Sequence, residues 1–237
     1  MQYIPYLSTL ITFIFAIAVF CRFLLRHHSP YLLIWTIGLL WFGLGTLSEV
    51  ILGLTFNGLT LKLWYLCGAM LTAAWLGQGT VHLLVRRHGI AWALTGALFA
   101  VSMLAAVLVL YAPLTAAVST YRVSQPISSQ YQDILTRSPL IIALTVLLNI
   151  YGTLTLVGGA IYSAYIFWRK RVLFNRMIGN ILIATGALAP AMGGSFIKMG
   201  LADWMYLTEL VGVILMYIGF LQATTLPAVE AAPTIFR

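Results

Sequence analysis

The sequence predicts an all-α membrane protein, a bundle of seven transmembrane helices. Of its 237 residues, 62% are hydrophobic and only 8% are charged, whereas roughly a quarter are charged in ordinary soluble domains. Long apolar runs recur along the chain, separated by short segments rich in arginine, glycine and proline. Seven spans of about 20 residues leave little length for anything else. We therefore expect one transmembrane domain over residues 1–237.

Each apolar run is long enough to cross a hydrocarbon core of about 30 Å as a helix. Most ends carry Trp or Tyr, which favour the headgroup level. Ser138 and Pro139 form a good start for the fifth helix, because Ser caps a helix and Pro fits its first position. The predicted spans are 4–25, 31–54, 61–84, 90–111, 139–168, 177–198 and 204–224.

Two segments depart from plain helical spans. Residues 112–138 form a long polar connection with aromatic side chains, and we expect it to lie over the outer mouth with a short helix at Ser129–Leu135. Connections of this length are often functional or disordered, so a lid is one interpretation. Pro190, followed by Gly193 and Gly194, predicts a kink in the sixth span. Glycines elsewhere in the spans are interpreted as close helix contacts.

Lysine and arginine predict the orientation. If the N-terminus lies outside, the inner side holds Arg22, Arg26, Arg86, Arg87, Arg169, Lys170, Arg171, Arg176 and Arg237, and the outer side holds Lys62, Arg122, Arg137 and Lys198. This positive-inside bias predicts an outer N-terminus and a cytoplasmic C-terminus. The net charge of +8 is then a topology signal first and an attraction to anionic membrane lipid second. Nucleic acid is not expected as a partner.

Ionisable side chains are costly inside a bilayer and therefore point to function. Glu49 and Glu209 each lie about five residues from an outer helix end, and Lys62 and Lys198 lie at outer ends of two further spans. We predict that these four residues line a ligand-binding cavity open to the outside, for a small polar or zwitterionic ligand or a proton-coupled step. Two alternatives remain: the carboxylates pair with lysine or hydroxyl groups and only fix helix register, or the lysines extend to headgroups.

The inner half carries polar but mostly uncharged residues. Trp75, Gln78 and His82 share one face of the third span by their spacing, while Asn149 and Asn180 lie in the fifth and sixth. These five residues predict an interhelical polar network. His82 as an axial haem ligand is the alternative, but no second histidine lies at a matching depth.

The residues that several classes of function require are missing from the sequence. The last span has no mid-membrane lysine for retinal, and no catalytic signature occurs. Two cysteines, Cys21 and Cys67, exclude a disulfide framework and a thiolate-rich metal site. We therefore expect no enzyme activity, no metal and no cofactor.

Two stretches carry a resemblance. WTIGLLWFGLGTLSEVILG with LTLKLWYLCGAMLTAAWLGQGTVHLL resembles the N-terminal seven-helix sensor region of bacterial histidine kinases, with Glu49, Lys62 and Tyr65 at matching positions. LTLVGGAIYSAY with NRMIGNILIATGALAPAMGG resembles stand-alone bacterial seven-helix membrane proteins without an assigned activity. From the residues up to Arg237 we expect no kinase linker, dimerisation helix or ATP-binding domain. The resemblance therefore implies sensing through a separate partner.

These observations favour a non-enzymatic, sensor-like or small-ligand-binding protein of the bacterial inner (plasma) membrane. Its arginine-rich cytoplasmic ends would contact a cytoplasmic or membrane protein partner. The alternatives are an accessory subunit of a larger membrane complex, and a transporter, which requires a path from the outer cavity to Asn180 or His82. Ligand identity and oligomeric state stay open.

Overall fold

The computed structural model describes residues 3–26, 29–85, 88–123, 125–170, 174–199 and 203–224. Within these ranges the chain forms eight helices and no strand, which confirms the all-α prediction. The helices are α1 (Ile4–Leu25), α2 (Pro30–Leu52), α3 (Gly58–Leu84), α4 (His88–Tyr111), α5 (Ile127–Ile134), α6 (Pro139–Lys170), α7 (Phe174–Lys198) and α8 (Asp203–Thr224).

Six helices, α1, α2, α3, α4, α6 and α8, are long and apolar enough to cross a membrane. This indicates a multi-pass helical membrane protein. The outward faces agree, because large apolar side chains such as Leu154 and Ile17 are 69% and 61% exposed, which water would disfavour over so wide a surface. Helix α7 has 25 residues but is not among the six, so seven spans remain a prediction.

The helices pack in pairs. Helix α7 lies against α8 along most of its length, α1 packs on α2, and α3 packs on both α2 and α6, while α4 contacts mainly α3. Small residues permit the closest approaches: a Cβ added at Gly186 of α7 would lie 2.6 Å from the carbonyl oxygen of Gly212 in α8. This contact agrees with the interpretation of the glycines as packing positions.

Helix α3 differs from the continuous α-helix that its apolar run predicts. Residues Trp64–Leu71 form a π-helix between two α-helical segments. Two of its carbonyl oxygens are hydrogen-bonded by side chains: Thr72 Oγ1 donates to Cys67 O at 2.8 Å, and Asn149 Nδ2 of α6 donates to Ala69 O at 2.7 Å. π-Helical turns frequently occur at functional sites, and this one faces the cavity described next.

The connection between α4 and α6 is ordered by its own contacts. Residues Ala116–Thr120 form a 3₁₀-helix, and Leu114 bridges to Leu135. Helix α5 follows, with Ile127 only 2% exposed. We call the end of the bundle that carries this connection the loop end. The opposite end carries Arg22, Arg26, Arg169 and Arg176, and we call it the arginine end.

Candidate ligand-binding site

A cavity of about 260 Å³ lies between α2, α3, α5, α6, α7 and α8 towards the loop end. We call it the acidic cavity, because Glu49 of α2 and Glu209 of α8 both line it. Its other polar or aromatic lining residues come from four of these helices and include Phe42, Thr46, Trp64, Thr72, Ser128, Tyr131, Asn149 and Thr153. Ligand pockets typically start near 300 Å³, so this cavity suits a small molecule.

The two carboxyl groups are buried, with Glu49 5% exposed and Glu209 7% exposed. Glu49 Oε1 accepts a hydrogen bond from Trp64 Nε1 at 2.8 Å. The carboxyl groups are close enough to share one proton. Without that proton, Glu49 Oε2 is buried with no hydrogen-bond partner among the described residues. A buried carboxyl oxygen left unpaired is costly, so the cavity contains an acidic group that is not fully satisfied.

Neither lysine predicted to join these carboxylates is seen beside them: Lys62 lies elsewhere, and the side chain of Lys198 is outside the described residues. Lys62 Nζ donates to the carbonyl oxygen of Leu110, near the C-terminus of α4, at 2.8 Å. A helix C-terminus attracts positive charge through its unpaired carbonyls, which explains this position. The side chain of Lys198 lies outside the described residues. Two of the four predicted residues, Glu49 and Glu209, are therefore brought together, and Lys62 is not brought to them.

The connection 112–138 covers the acidic cavity. Ser128 and Tyr131 of α5 line it, and the Tyr131 ring lies 5.2 Å from that of Trp64. The guanidinium of Arg137 lies 4.9 Å from the Tyr131 ring centre. Ser128 is 1% exposed, and its hydroxyl has no hydrogen-bond partner in the described part of the chain. The cover thus adds a second unpaired polar group to the same cavity.

A second cavity, of about 440 Å³, lies beside the first under the same connection. Glu49 lines both cavities, so its carboxyl group stands at the boundary between them. Tyr121 also lines the second cavity, and its hydroxyl donates to Leu52 O at 2.7 Å. Burial raises the pKa of the Tyr121 hydroxyl above its ordinary value, so the hydroxyl stays protonated and holds the connection to α2.

The predicted inner network forms a different kind of polar cluster. Gln78, fully buried, donates through Nε2 to Ala91 O at 2.9 Å and to Thr95 Oγ1 at 2.8 Å, and its Oε1 accepts from Tyr151 OH. Because the Thr95 hydroxyl donates to Ala91 O, its oxygen also accepts from His82 Nε2 at 2.7 Å. The cluster ties α3 to α4 and α6.

The other three predicted network residues bond across helices elsewhere. Trp75 Nε1 donates to Ser102 Oγ of α4 at 3.1 Å. Asn149 supports the π-helix, as described above, and Asn180 Nδ2 donates to Ser163 Oγ at 3.0 Å. The five residues thus form separate interhelical contacts rather than one connected network. Among the described residues, no group of His, Cys, Asp or Glu is arranged to hold a metal ion.

Further cavities continue from the acidic cavity towards the arginine end. An apolar void of about 20 Å³ shares Leu76, Leu156 and Met216 with the acidic cavity. It shares Trp35, Ile183 and Phe220 with a third large cavity, of about 460 Å³, at the arginine end. Asn180, Arg26 and Arg176 line that last cavity, which we call the arginine cavity. The cavities therefore follow one another along the bundle, with apolar side chains between them.

Compared with known proteins, the chain has no significant match to a family model, to a curated protein or to a solved structure. The site therefore has to be interpreted from its own residues.

Sequence reasoning found the two carboxylates but not their surroundings. Trp64, Ser128 and Tyr131 were not predicted as site residues, although aromatic side chains in a polar connection were the signal for Tyr131. Trp64 lies 15 positions from Glu49, and only the packing of α3 on α2 brings them together. Thr72, which directly follows the π-helix, and Asn149 of α6 also line the cavity.

Proposed function

We propose that the acidic cavity binds a small organic cation, an ammonium compound, and that the protein is a non-enzymatic sensor-type membrane protein. The observation that carries this proposal is the pair of buried carboxyl groups lining one cavity. One carboxyl oxygen of Glu49 has no hydrogen-bond partner in the described part of the chain, and the described lining residues include no Lys, Arg or His. A cation satisfies this pair best, because it can contact both carboxyl groups at once in place of the proton between them.

The aromatic lining supports a cation over a neutral polar ligand. Trp64, Tyr131 and Phe42 line the same cavity as the carboxyl groups, and aromatic faces attract ammonium groups by cation–π interaction. Thr46, Thr72 and Thr153 can orient further polar groups. The sequence predicted a small polar or zwitterionic ligand. Because Lys62 does not line the cavity, we propose that the site recognises the positive group of its ligand.

The orientation proposed is the one the sequence predicts, with seven spans, the N-terminus outside and the C-terminus in the cytoplasm of a bacterial cell. Its support is the gathering of Arg22, Arg26, Arg169 and Arg176 at one end of the bundle. The extensive contact of α7 with α6 and α8 supports α7 as the seventh span. The ligand then arrives from outside, past Glu49 and under the connection 112–138.

Sensing is favoured by how the cavity is built. Its walls come from five helices and from the covering helix α5, so an occupied cavity holds α2, α5 and α8 together more tightly than an empty one. The resemblance to kinase sensor regions points to the same role, with a separate partner reading the arginine end. The alternative of an accessory subunit has no specific contact in its favour.

A pair of matched probes tests the binding proposal. Purified protein in lipid nanodiscs is titrated with choline and with 3,3-dimethylbutan-1-ol, its uncharged isostere. We expect saturable binding of choline, binding of the alcohol about tenfold weaker or less, and loss of choline binding in Glu49→Gln and Glu209→Gln, since a charge-assisted contact contributes roughly 1.5–3 kcal/mol.

The control is Asp133→Asn, which removes an exposed carboxylate at the same end of the bundle but outside the cavity. It should bind choline like the wild type. Equal binding of the alcohol, or equal loss in Asp133→Asn and Glu49→Gln, would overturn the proposal.

Transport of the same cation is a second candidate, favoured by the series of cavities that reaches Asn180. Met216 lies in the apolar constriction between the acidic cavity and the arginine cavity. If the route conducts, proteoliposomes should accumulate labelled choline, and Met216→Ala should speed uptake without changing choline affinity. If wild type and variant both bind choline but neither accumulates it, transport is excluded and the sensor role is retained.

A further inference from the structure

The arginine cavity is a further large cavity, separate from the acidic site. Its volume is about 460 Å³, and residues from α2, α3, α6, α7 and α8, with Arg26 at the end of α1, line it. One part of its lining is polar, with Ser163, Asn180 and Tyr31, and another part is apolar, with Trp35, Leu84, Ile166, Phe167 and Phe220. It is a built cavity between helices rather than a flat surface.

Positive charge in this cavity is not balanced by any described residue of its lining. Arg26 and Arg176 line it, and the lining residues include no Asp or Glu. Arg22 lies one helical turn from Arg26 and donates through a terminal guanidinium nitrogen to the carbonyl oxygen of Thr224, another lining residue. Two guanidinium groups thus line the cavity, and a third is hydrogen-bonded to one of its lining residues.

Two of these guanidinium groups also carry unused donors. The Nε atoms of Arg22 and Arg176 are buried and have no hydrogen-bond partner in the part of the chain that the structure describes. A guanidinium is charged at all ordinary pH values, so it cannot relieve this cost by losing a proton. Buried unpaired donors on a permanent charge therefore indicate a missing anionic partner.

We propose that the arginine cavity binds the phosphate group of a ligand with net negative charge, such as an anionic lipid headgroup or free phosphate, rather than a zwitterionic one. The planar fork of a guanidinium matches phosphate oxygens with paired hydrogen bonds, and basic pockets between transmembrane helices on the cytoplasmic side bind anionic lipid headgroups. Asn180 and Ser163 add an amide and a hydroxyl at the same wall. The apolar lining, with Leu83 44% exposed beside it, suits an acyl chain next to the phosphate. A soluble phosphate is the other source of the same chemistry.

This site is independent of the acidic cavity. The two have opposite charge, lie at opposite ends of the bundle, and are separated by apolar side chains. Failure of cation binding would leave the phosphate proposal untouched.

The sharpest variant is Asn180→Asp. It keeps the shape of the side chain but places a carboxylate one helical turn from Arg176, where it can pair with the guanidinium. We expect phosphate binding to fall about tenfold or more, because the built-in carboxylate competes for the donors, while the melting temperature does not fall. Arg176→Gln should weaken binding similarly by removing the fork.

The matched control is Arg169→Gln. Arg169 is exposed at the same end but does not line the cavity, so this variant removes the same charge and should bind within about twofold of the wild type.

The protein in detergent is titrated with short-chain phosphatidylglycerol, short-chain phosphatidylcholine and inorganic phosphate, and native mass spectrometry counts the bound molecules. Binding of phosphatidylglycerol alone identifies a lipid headgroup, and competition by inorganic phosphate identifies a soluble source. The proposal is overturned if phosphatidylcholine binds as well as phosphatidylglycerol, if neither phosphatidylglycerol nor phosphate binds, if Asn180→Asp leaves affinity unchanged, or if Arg169→Gln weakens binding as much as Arg176→Gln.

Discussion

Helix α3 contributes to two polar clusters that differ in one respect. Near its arginine end, Gln78 uses both amide hydrogens and its carbonyl oxygen in hydrogen bonds to α4 and α6. Near its loop end, Trp64 donates to one oxygen of Glu49, while the other oxygen has no partner among the described residues. The first cluster is saturated, and the second is not.

This difference in hydrogen bonding distinguishes a polar cluster that stabilises the bundle from one that can bind a ligand. A buried polar group whose donors and acceptors are all used stabilises the contact between helices and leaves nothing for a ligand. A buried carboxylate with an unused oxygen raises the energy of the empty protein and gains most when a ligand arrives. Both clusters consist of polar residues inside the membrane, so position alone did not distinguish them, whereas hydrogen-bond partners do.

The largest effect on stability should come from the close contact between α3 and α6, which lies between the two clusters. A Cβ at Gly152 of α6 would overlap the backbone of Ala73 and lie 2.6 Å from the backbone nitrogen of Ala74. We expect Gly152→Ala to destabilise the protein by about 3 kcal/mol, since backbone cannot move aside cheaply. Unfolding in mixed micelles measures this.

Gly158 of the same helix is the control. A Cβ there meets nothing within 4 Å, so Gly158→Ala should be neutral or stabilise the helix by up to about 1 kcal/mol. Equal effects of the two substitutions would show that α3 and α6 are not in the close contact described.

The next effect tests the saturated cluster. Gln78→Leu keeps the volume but removes the acceptor of the Tyr151 hydroxyl and one of the two side-chain donors to Ala91 O. We expect a loss of about 2 kcal/mol in the free energy of unfolding, with choline affinity unchanged. A lost affinity with unchanged stability would reverse the roles assigned to the two clusters.

A smaller effect on stability is expected at Asn149, which lies between the two clusters. Asn149 lines the acidic cavity, but its Nδ2 donates to Ala69 O and Thr145 O. Asn149→Leu should cost about 1 kcal/mol, as single interhelical hydrogen bonds in membranes do, and should weaken choline binding through the π-helix. Unchanged unfolding would contradict the support that Asn149 gives to this turn.

The sequence predicted the helical bundle because apolar runs of this length have few other structures available to them. It also predicted that Glu49 and Glu209 lie at one depth, since both are about five residues from helix ends on the same side. That they converge follows from the packing of α1 on both α2 and α8, which the spacing of residues along the sequence does not contain.

The parts that sequence reasoning missed depend on long-range contacts. Lys62 has a flexible stem and reaches the carbonyl oxygen of Leu110 rather than a carboxylate, a choice set by where α4 ends. The Thr72 hydroxyl and the Asn149 amide each donate to a carbonyl oxygen of the π-helix. No local sequence pattern predicts that these two side chains, from α3 and α6, bond the same turn. The cover formed by Ser128 and Tyr131 depends on how the connection 112–138 folds back.

The most direct test of the central claim is the stability of Glu49→Gln without any ligand. The glutamine keeps an oxygen that can accept from Trp64 Nε1, and its amide can donate to Glu209. If the carboxyl pair is a binding site, the free energy of unfolding should stay equal or rise, as is common when a functional group is neutralised, and added choline should no longer stabilise the protein. A loss of more than about 1 kcal/mol in the unliganded variant, comparable with loss of a structural hydrogen bond, would contradict the account and place Glu49 with the saturated cluster.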